Sequence, residues 1–318
     1  MAFLSSRRRR ARLVLEVDDA ALGRLLKSLQ ATTSTGTIGA TDLFMGQISR
    51  LLDQSKADWD RRTHQLSVLA CCLSESHGPR GWAAREPRNA SALVLSAWVQ
   101  LERGRARGRL EDAAGIAESC LRAADLAPED PTPWVVLLGL SRLERRSQRE
   151  VFGVWNEVLA RDRWNREAHL SMLRYLGPEE MGSRVQVLDF LDAVRASTPA
   201  NAPCAATELT AHVLQYHSVL TRGGVEALMA RHRWSHASAA QTLDRTAHTW
   251  ARPGFLHHAA ALADLNLLAY ALIAADRRSE ARPVFEAING TVAAWPWSVG
   301  GDPVSEFEEA RIRSGTGE

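Results

Sequence analysis

The feature that most constrains what this chain can fold into is a punctuation that recurs from Pro87 onward. Pro87-Arg-Asn-Ala-Ser-Ala-Leu-Val-Leu95 places a proline and a polar pair ahead of an apolar helical run. Pro128-Glu-Asp-Pro-Thr-Pro-Trp-Val-Val136 repeats that arrangement. Arg163-Trp-Asn-Arg-Glu-Ala-His169 and Pro199-Ala-Asn-Ala-Pro203 mark the next two junctions. Spacings of 41, 35 and 36 residues separate the four, within the range of helical-repeat arrays. A helix pair of that length cannot bury its apolar faces alone, so each pair must stack on its neighbour.

Each unit divides into two helices. Trp134 to Leu143 forms the first of one unit, with Leu137, Leu138 and Leu140 apolar. Ser147-Gln-Arg-Glu150 then reads as a capping box, in which serine and glutamate satisfy each other's exposed backbone N–H groups. It opens a helix carrying Val151, Phe152, Trp155, Val158 and Leu159. In the next unit Asn165 caps a helix through Leu170, Leu173 and Leu176 that stops at Gly177-Pro178. Ser183-Arg-Val-Gln186 is a second capping box, opening Val187, Leu188, Phe190, Leu191 and Val194. Ahead of the repeats, residues 13–29 predict a helix, 31–40 a loop, and a second helix starts at an Asp42 N-cap. A third covers Trp59 to Leu73 and ends before His77-Gly78-Pro79.

Leu265-x2-Leu268-Ala269-x2-Leu272, followed by Ala281-x3-Phe285-x2-Ile288, resembles the tetratricopeptide helix-turn-helix pattern. Ala113 to Pro128 is a looser match, and Trp134-x2-Leu137 resembles the start of a repeat. More widely, Asp58-Trp-Asp-Arg-Arg62, Asp162 to Leu170, Ala211-His-Val213 and Pro296-Trp297 resemble a group of actinobacterial tetratricopeptide-like proteins. The group brings no assigned activity with it. Pro283 departs from the pattern and is tolerated only close to a helix start.

Composition excludes several classes. With 45% hydrophobic residues and a net charge of +2, the chain is not expected to be disordered. No apolar run approaches the roughly 20 residues of a membrane span. Of 39 basic residues only Lys27 and Lys56 are lysine, an excess of arginine read as a GC-rich coding bias. Arg7 to Arg10 and Arg12 form one dense cluster, expected to be a solvated terminus. Without it the body is mildly acidic, which disfavours a nucleic-acid footprint. Cys71, Cys72, Cys120 and Cys204 lack zinc spacing, and adjacent Cys71 and Cys72 do not suit a disulfide. Reduced thiols and a cytoplasmic location are expected.

Candidate chemistry is sparse. Seven of ten histidines fall between His212 and His258, including His232 and His236 at a one-face helical spacing. No His-Glu-x-x-His accompanies them, and Ser235 reads as a helix start that would part the two. There is no P-loop, dinucleotide fingerprint or nucleophile elbow. Arg103-Gly-Arg-Ala-Arg-Gly-Arg109 is read as a turn between helices.

The chain is therefore expected to be all-α, a tetratricopeptide-like helical-repeat solenoid of about 12–16 helices. Residues 1–12 form a basic disordered N-terminus, 13–86 a helical cap, 87–290 the repeats and 291–318 an irregular tail. In tetratricopeptide arrays the first helix of each pair lines the concave face, so polar residues there are the candidates for ligand contact. His169, His212, Tyr216, Asn266 and Tyr270 are those residues; His212 and Tyr216, like Asn266 and Tyr270, share a face at four-residue spacing. The expected function is non-enzymatic binding of a protein or peptide partner, with no cofactor or metal. The alternatives are an enzyme using residues 212–258, and a regulator that binds anionic partners through Arg7–Arg12.

Overall fold

Every proline-opened junction and both capping boxes deliver a helix start. The structure, a computed structural model, describes residues 10–33 and 40–315 and is predominantly helical. Its contacts divide the chain into two compact units, residues 19–196 and the combination of 1–18 with 197–318.

The 19–196 unit is built from α1 (Ala20–Thr33), α2 (Ala40–Gln54), α3 (Trp59–Cys72), α4 (Gly78–Arg85) and α5 (Ala90–Arg107). It continues with α6 (Ala113–Leu126), α7 (Thr132–Leu143), α8 (Gln148–Arg161), α9 (Arg166–Tyr175) and α10 (Arg184–Ser197). Side-chain caps fix the starts. Asn89 Oδ1 accepts from the Ala92 amide at 3.2 Å, Asp112 Oδ1 from Gly115 at 2.8 Å and Asn165 Oδ1 from Ala168 at 3.0 Å. At α8 the Ser147 amide donates to Glu150 Oε2 at 3.1 Å, and Ser183 Oγ accepts from the Gln186 amide at α10. Each such cap satisfies one of the amides that a helix leaves unpaired at its start. Consecutive helices pair, α5 with α6 and α7 with α8, while α3 packs on α5, α5 on α7 and α7 on α9. One continuous core results, from Leu22 on α1 to Leu176 after α9, with Trp82 and Tyr175 among its largest buried side chains.

The other unit begins with β1 (Arg12–Leu13), which pairs in parallel with β2 (Thr291–Val292). Its helices are α11 (Thr207–Arg222), α12 (Gly224–Leu228), a 3-10 turn at Ala230–Ser235, α13 (Ala237–Thr249), α14 (Ala261–Ala274) and α15 (Arg278–Ile288). The short α16 (Ala294–Trp297) and α17 (Pro303–Arg313) close it. α14 is apolar on nearly every side because it is enclosed by α11, α13, α15, α16 and α17. Its core, Ala11 together with residues from Ala206 to Ala310, is separate from that of the 19–196 unit.

Several expectations are corrected. Two cores replace a single array, and the division falls at residues 18/19 and 196/197, not at 86/87. Arg12 and Leu13 lie in a strand, held by Arg12 N–H to Gly290 O at 3.0 Å and Val14 N–H to Val292 O at 2.9 Å. The disordered-terminus reading therefore fails at residue 12, and residues 1–9 lie outside the described part. The first helix starts at Ala20 because Asp19 caps it, accepting from Leu22 N–H at 3.0 Å. Arg103 to Arg107 are helical; the turn begins only at Gly108, whose φ of 69° suits glycine. The tail is not irregular: Asp302 caps α17, and Phe307 and Ala310 are fully buried. Of the expected loop at 31–40, residues 34–39 lie outside the described part.

Candidate functional site

In the 19–196 unit the starts of α3, α5, α7 and α9 are tied together by side chains of α3. Arg62, 2% exposed, donates through Nε to Asp130 Oδ2 at 2.9 Å, through Nη1 to Leu52 O and through Nη2 to Ser91 Oγ at 3.0 Å. Asp130 Oδ1 in turn accepts from the Thr132 amide at 2.8 Å, which starts α7. Thr63 Oγ1 accepts from Asn165 Nδ2 at 3.3 Å, reaching the start of α9. A buried charge is stable only when paired and hydrogen-bonded, and Arg62 and Asp130 meet that condition at both ends.

The same hub extends to α1. Asp19 Oδ2 accepts from Arg61 Nε at 3.0 Å and Gln65 Nε2 at 2.7 Å. Burial by itself would raise the Asp19 pKa, but bonds from Arg61, the Leu22 amide and Gln65 outweigh it and bring the carboxyl down to about 2.

Above the Arg62–Asp130 pair opens a broad, open cleft of about 860 Å³. Trp59, Pro87 and Leu126 give it apolar surface, and Leu126 is 45% exposed. Lys56 at its rim is paired with Asp53 at 2.8 Å, and Glu86 accepts from Asn89 Nδ2 at 2.8 Å. Arg88 is exposed beside Pro87. Neither histidine nor cysteine lines the cleft, and Ser91, its one hydroxyl, accepts from Arg62. The lining thus offers both apolar surface and charged groups to a bound molecule.

The five expected binding residues divide between the units. His169, on α9, is buried; its Nδ1 lies 2.8 Å from Asn165 O and its ring meets the edge of Trp155 at 4.8 Å. Burial pulls its pKa down, so it is a neutral core group. The other four lie in the second unit. Tyr216 and Tyr270 sit 6.5 Å apart, and Tyr216 and His212 both flank Trp234. Tyr270 Oη is 2.9 Å from His217 Nε2, and burial lowers the His217 pKa to about 4. Asn266 is fully buried, and its amide is used within the chain. Nδ2 donates to Leu262 O and Thr291 O, while Oδ1 accepts from Trp297 Nε1 at 2.9 Å and the Ala293 amide. Asn266 and His169 are thereby corrected from ligand contacts to internal clamps.

Sequence reasoning did not single out Trp59, Arg88 or Leu126. The signal was Arg62 itself, a charge in line with Leu66 and Leu69 on an otherwise apolar face. It also missed the buried His258–Asp264 pair, with Nε2 and Oδ2 3.3 Å apart. His232 ends in the 3-10 turn and His236 at the N-cap of α13, on different elements. Among the described residues no three His, Cys, Asp or Glu side chains converge as a metal site, and no helix is long and apolar enough to cross a membrane.

Comparison of the chain with family models, curated proteins and solved structures returns no match.

Proposed function

We propose that the chain is a non-enzymatic binding protein whose 19–196 unit is a short tetratricopeptide-like array taking an extended segment of a protein partner. The observation that carries this reading is the cleft over the Arg62–Asp130 pair. It combines an apolar wall with a rim carrying the Lys56–Asp53 ion pair and lies where three helix starts are tied together by hydrogen bonds. Preformed sites on rigid elements lose less entropy on binding than mobile loops. The alternating packing of α3, α5, α7 and α9 supports a repeat architecture for this unit. The candidate contacts for the partner thus become Trp59, Arg88 and Leu126, while His212, Tyr216 and Tyr270 belong to the other unit's aromatic cluster.

Selection of binders from a displayed library of random peptides tests the reading. Enriched peptides are expected to bind the wild-type chain and to lose about tenfold or more in affinity with Leu126→Glu or Trp59→Ala, the scale of one buried apolar contact. A chain that enriches no peptide, or whose peptides bind both variants unchanged, would overturn it.

A further inference from the structure

α11 and α13 are joined by a segment whose chemistry the cleft does not use. Gly223, with φ 71° and ψ −160°, and Gly224, with φ 70°, turn the chain sharply out of α11. Both conformations are strained for any residue with a Cβ. Beyond the turn, α12 and the residue after it present Val225, Leu228 and Met229 at i, i+3 and i+4 spacing, on one side of a helical turn. They are 76%, 82% and 53% exposed, and Leu220 at the end of α11 is also exposed. Buried residues anchor this tip from beneath: Ala230 and Trp234 belong to the core of the unit.

Arginines flank the tip in sequence. Arg222 precedes the tip, and Arg231 and Arg233 follow it; the one acidic residue within 220–233, Glu226, lies 3.9 Å from Arg222. Val225 and Leu228, more than three-quarters exposed, project from the surface. Projecting apolar groups flanked in the chain by arginines match the interface of an anionic bilayer, whose headgroups attract cations while its hydrocarbon accepts the tip.

We propose that residues 220–233 form a membrane-docking tip, which inserts Val225, Leu228 and Met229 into the surface of an anionic bilayer while the arginines contact its headgroups. This goes beyond the peptide-binding reading and does not depend on it.

Co-sedimentation of the full chain with vesicles tests the proposal. Phosphatidylcholine vesicles containing phosphatidylglycerol are expected to bind the protein, pure phosphatidylcholine vesicles to bind it far less, and added salt to weaken the interaction. Leu228→Glu with Met229→Glu is expected to lower partitioning about tenfold or more. Arg231→Ala is expected to lower it roughly fivefold. Both variants alter exposed side chains, and an unchanged circular-dichroism melt shows that they remain folded. A variant with serine in place of Arg7 to Arg10 should bind as wild type. The proposal is overturned if the wild type fails to sediment, or if the glutamate variant binds normally. It is equally overturned if binding is lost only with the Arg7–Arg10 cluster, or if the glutamate variant instead abolishes contact with a protein partner and leaves vesicle binding intact.

Discussion

Arg62 stands one and two turns before Leu66 and Leu69 on α3, yet it carries a full charge into the interior. Its guanidinium meets Asp130, Ser91 and the Leu52 carbonyl, so one side chain serves three segments. Removing one partner of such a pair leaves the other buried and uncompensated. Arg62→Ala is therefore expected to cost about 3–5 kcal/mol in chemical denaturation. Asp130→Ala is expected to cost as much, because it also frees the Thr132 amide. His217 acts through protons. Its folded pKa of about 4 lies below the ordinary 6.5, so between those values the unfolded chain takes up a proton that the folded chain refuses. The contribution of neutral His217 is thus full above about pH 6.5 and is lost as the pH falls to about 4. His217→Gln is expected to flatten that part of the stability profile, measured by urea melts across the window. At this scale the sequence announces polar residues on apolar faces, as with Arg62, Asn266 and His217. It does not say whether their partners come from a ligand or from the chain itself. Asn266 shows why: its acceptors and donors lie at Leu262, Thr291, Ala293 and Trp297, three of them reached only once the C-terminal segment has folded back.

Helix starts were the most legible elements, because caps and prolines are local chemistry. The junctions at Pro87, Pro128, Arg163 and Pro199 precede α5, α7, α9 and α11, and the two capping boxes precede α8 and α10. The missed elements carried weaker or misread signals. α4 begins at Gly78 with Pro79 in its first turn, a position where proline opens a helix as readily as it ends one. α17 has an aspartate cap and a first-turn proline, but only Phe307 and Ala310 mark its buried side. Packing between elements adds a constraint that periodicity does not contain. A Cβ at Gly139 on α7 would lie 2.8 Å from Leu101 Cδ2 on α5, and Leu101 is itself fully buried. Gly139→Val is expected to overpack this contact and destabilise the protein by about 1–3 kcal/mol, with a lower thermal midpoint as the readout. Gly139→Ala, which adds less bulk, should cost less than the valine.

At the scale of the whole molecule, repeat spacing implied one array because it registers neighbours along the chain and is blind to returns over long distances. Ala11 illustrates the return: its amide donates to Glu308 Oε1, 297 residues away. β1 pairs with β2 for the same reason, and Ala11 joins the core formed by α11 to α17. Residues 10–18 therefore belong to the C-terminal unit, while Asp19 starts the other. Units with separate cores unfold as separate cooperative blocks when their shared contacts are few. Deleting residues 1–18 removes a strand and its ladder bonds from one unit and no core residue from the other. In calorimetry the deletion is expected to lower the unfolding step of the unit containing α11 to α17 and to leave the step of residues 19–196 in place. Arg62→Ala should do the reverse, moving only the 19–196 step. Equal movement of both steps by either change would mean that the two cores melt as one.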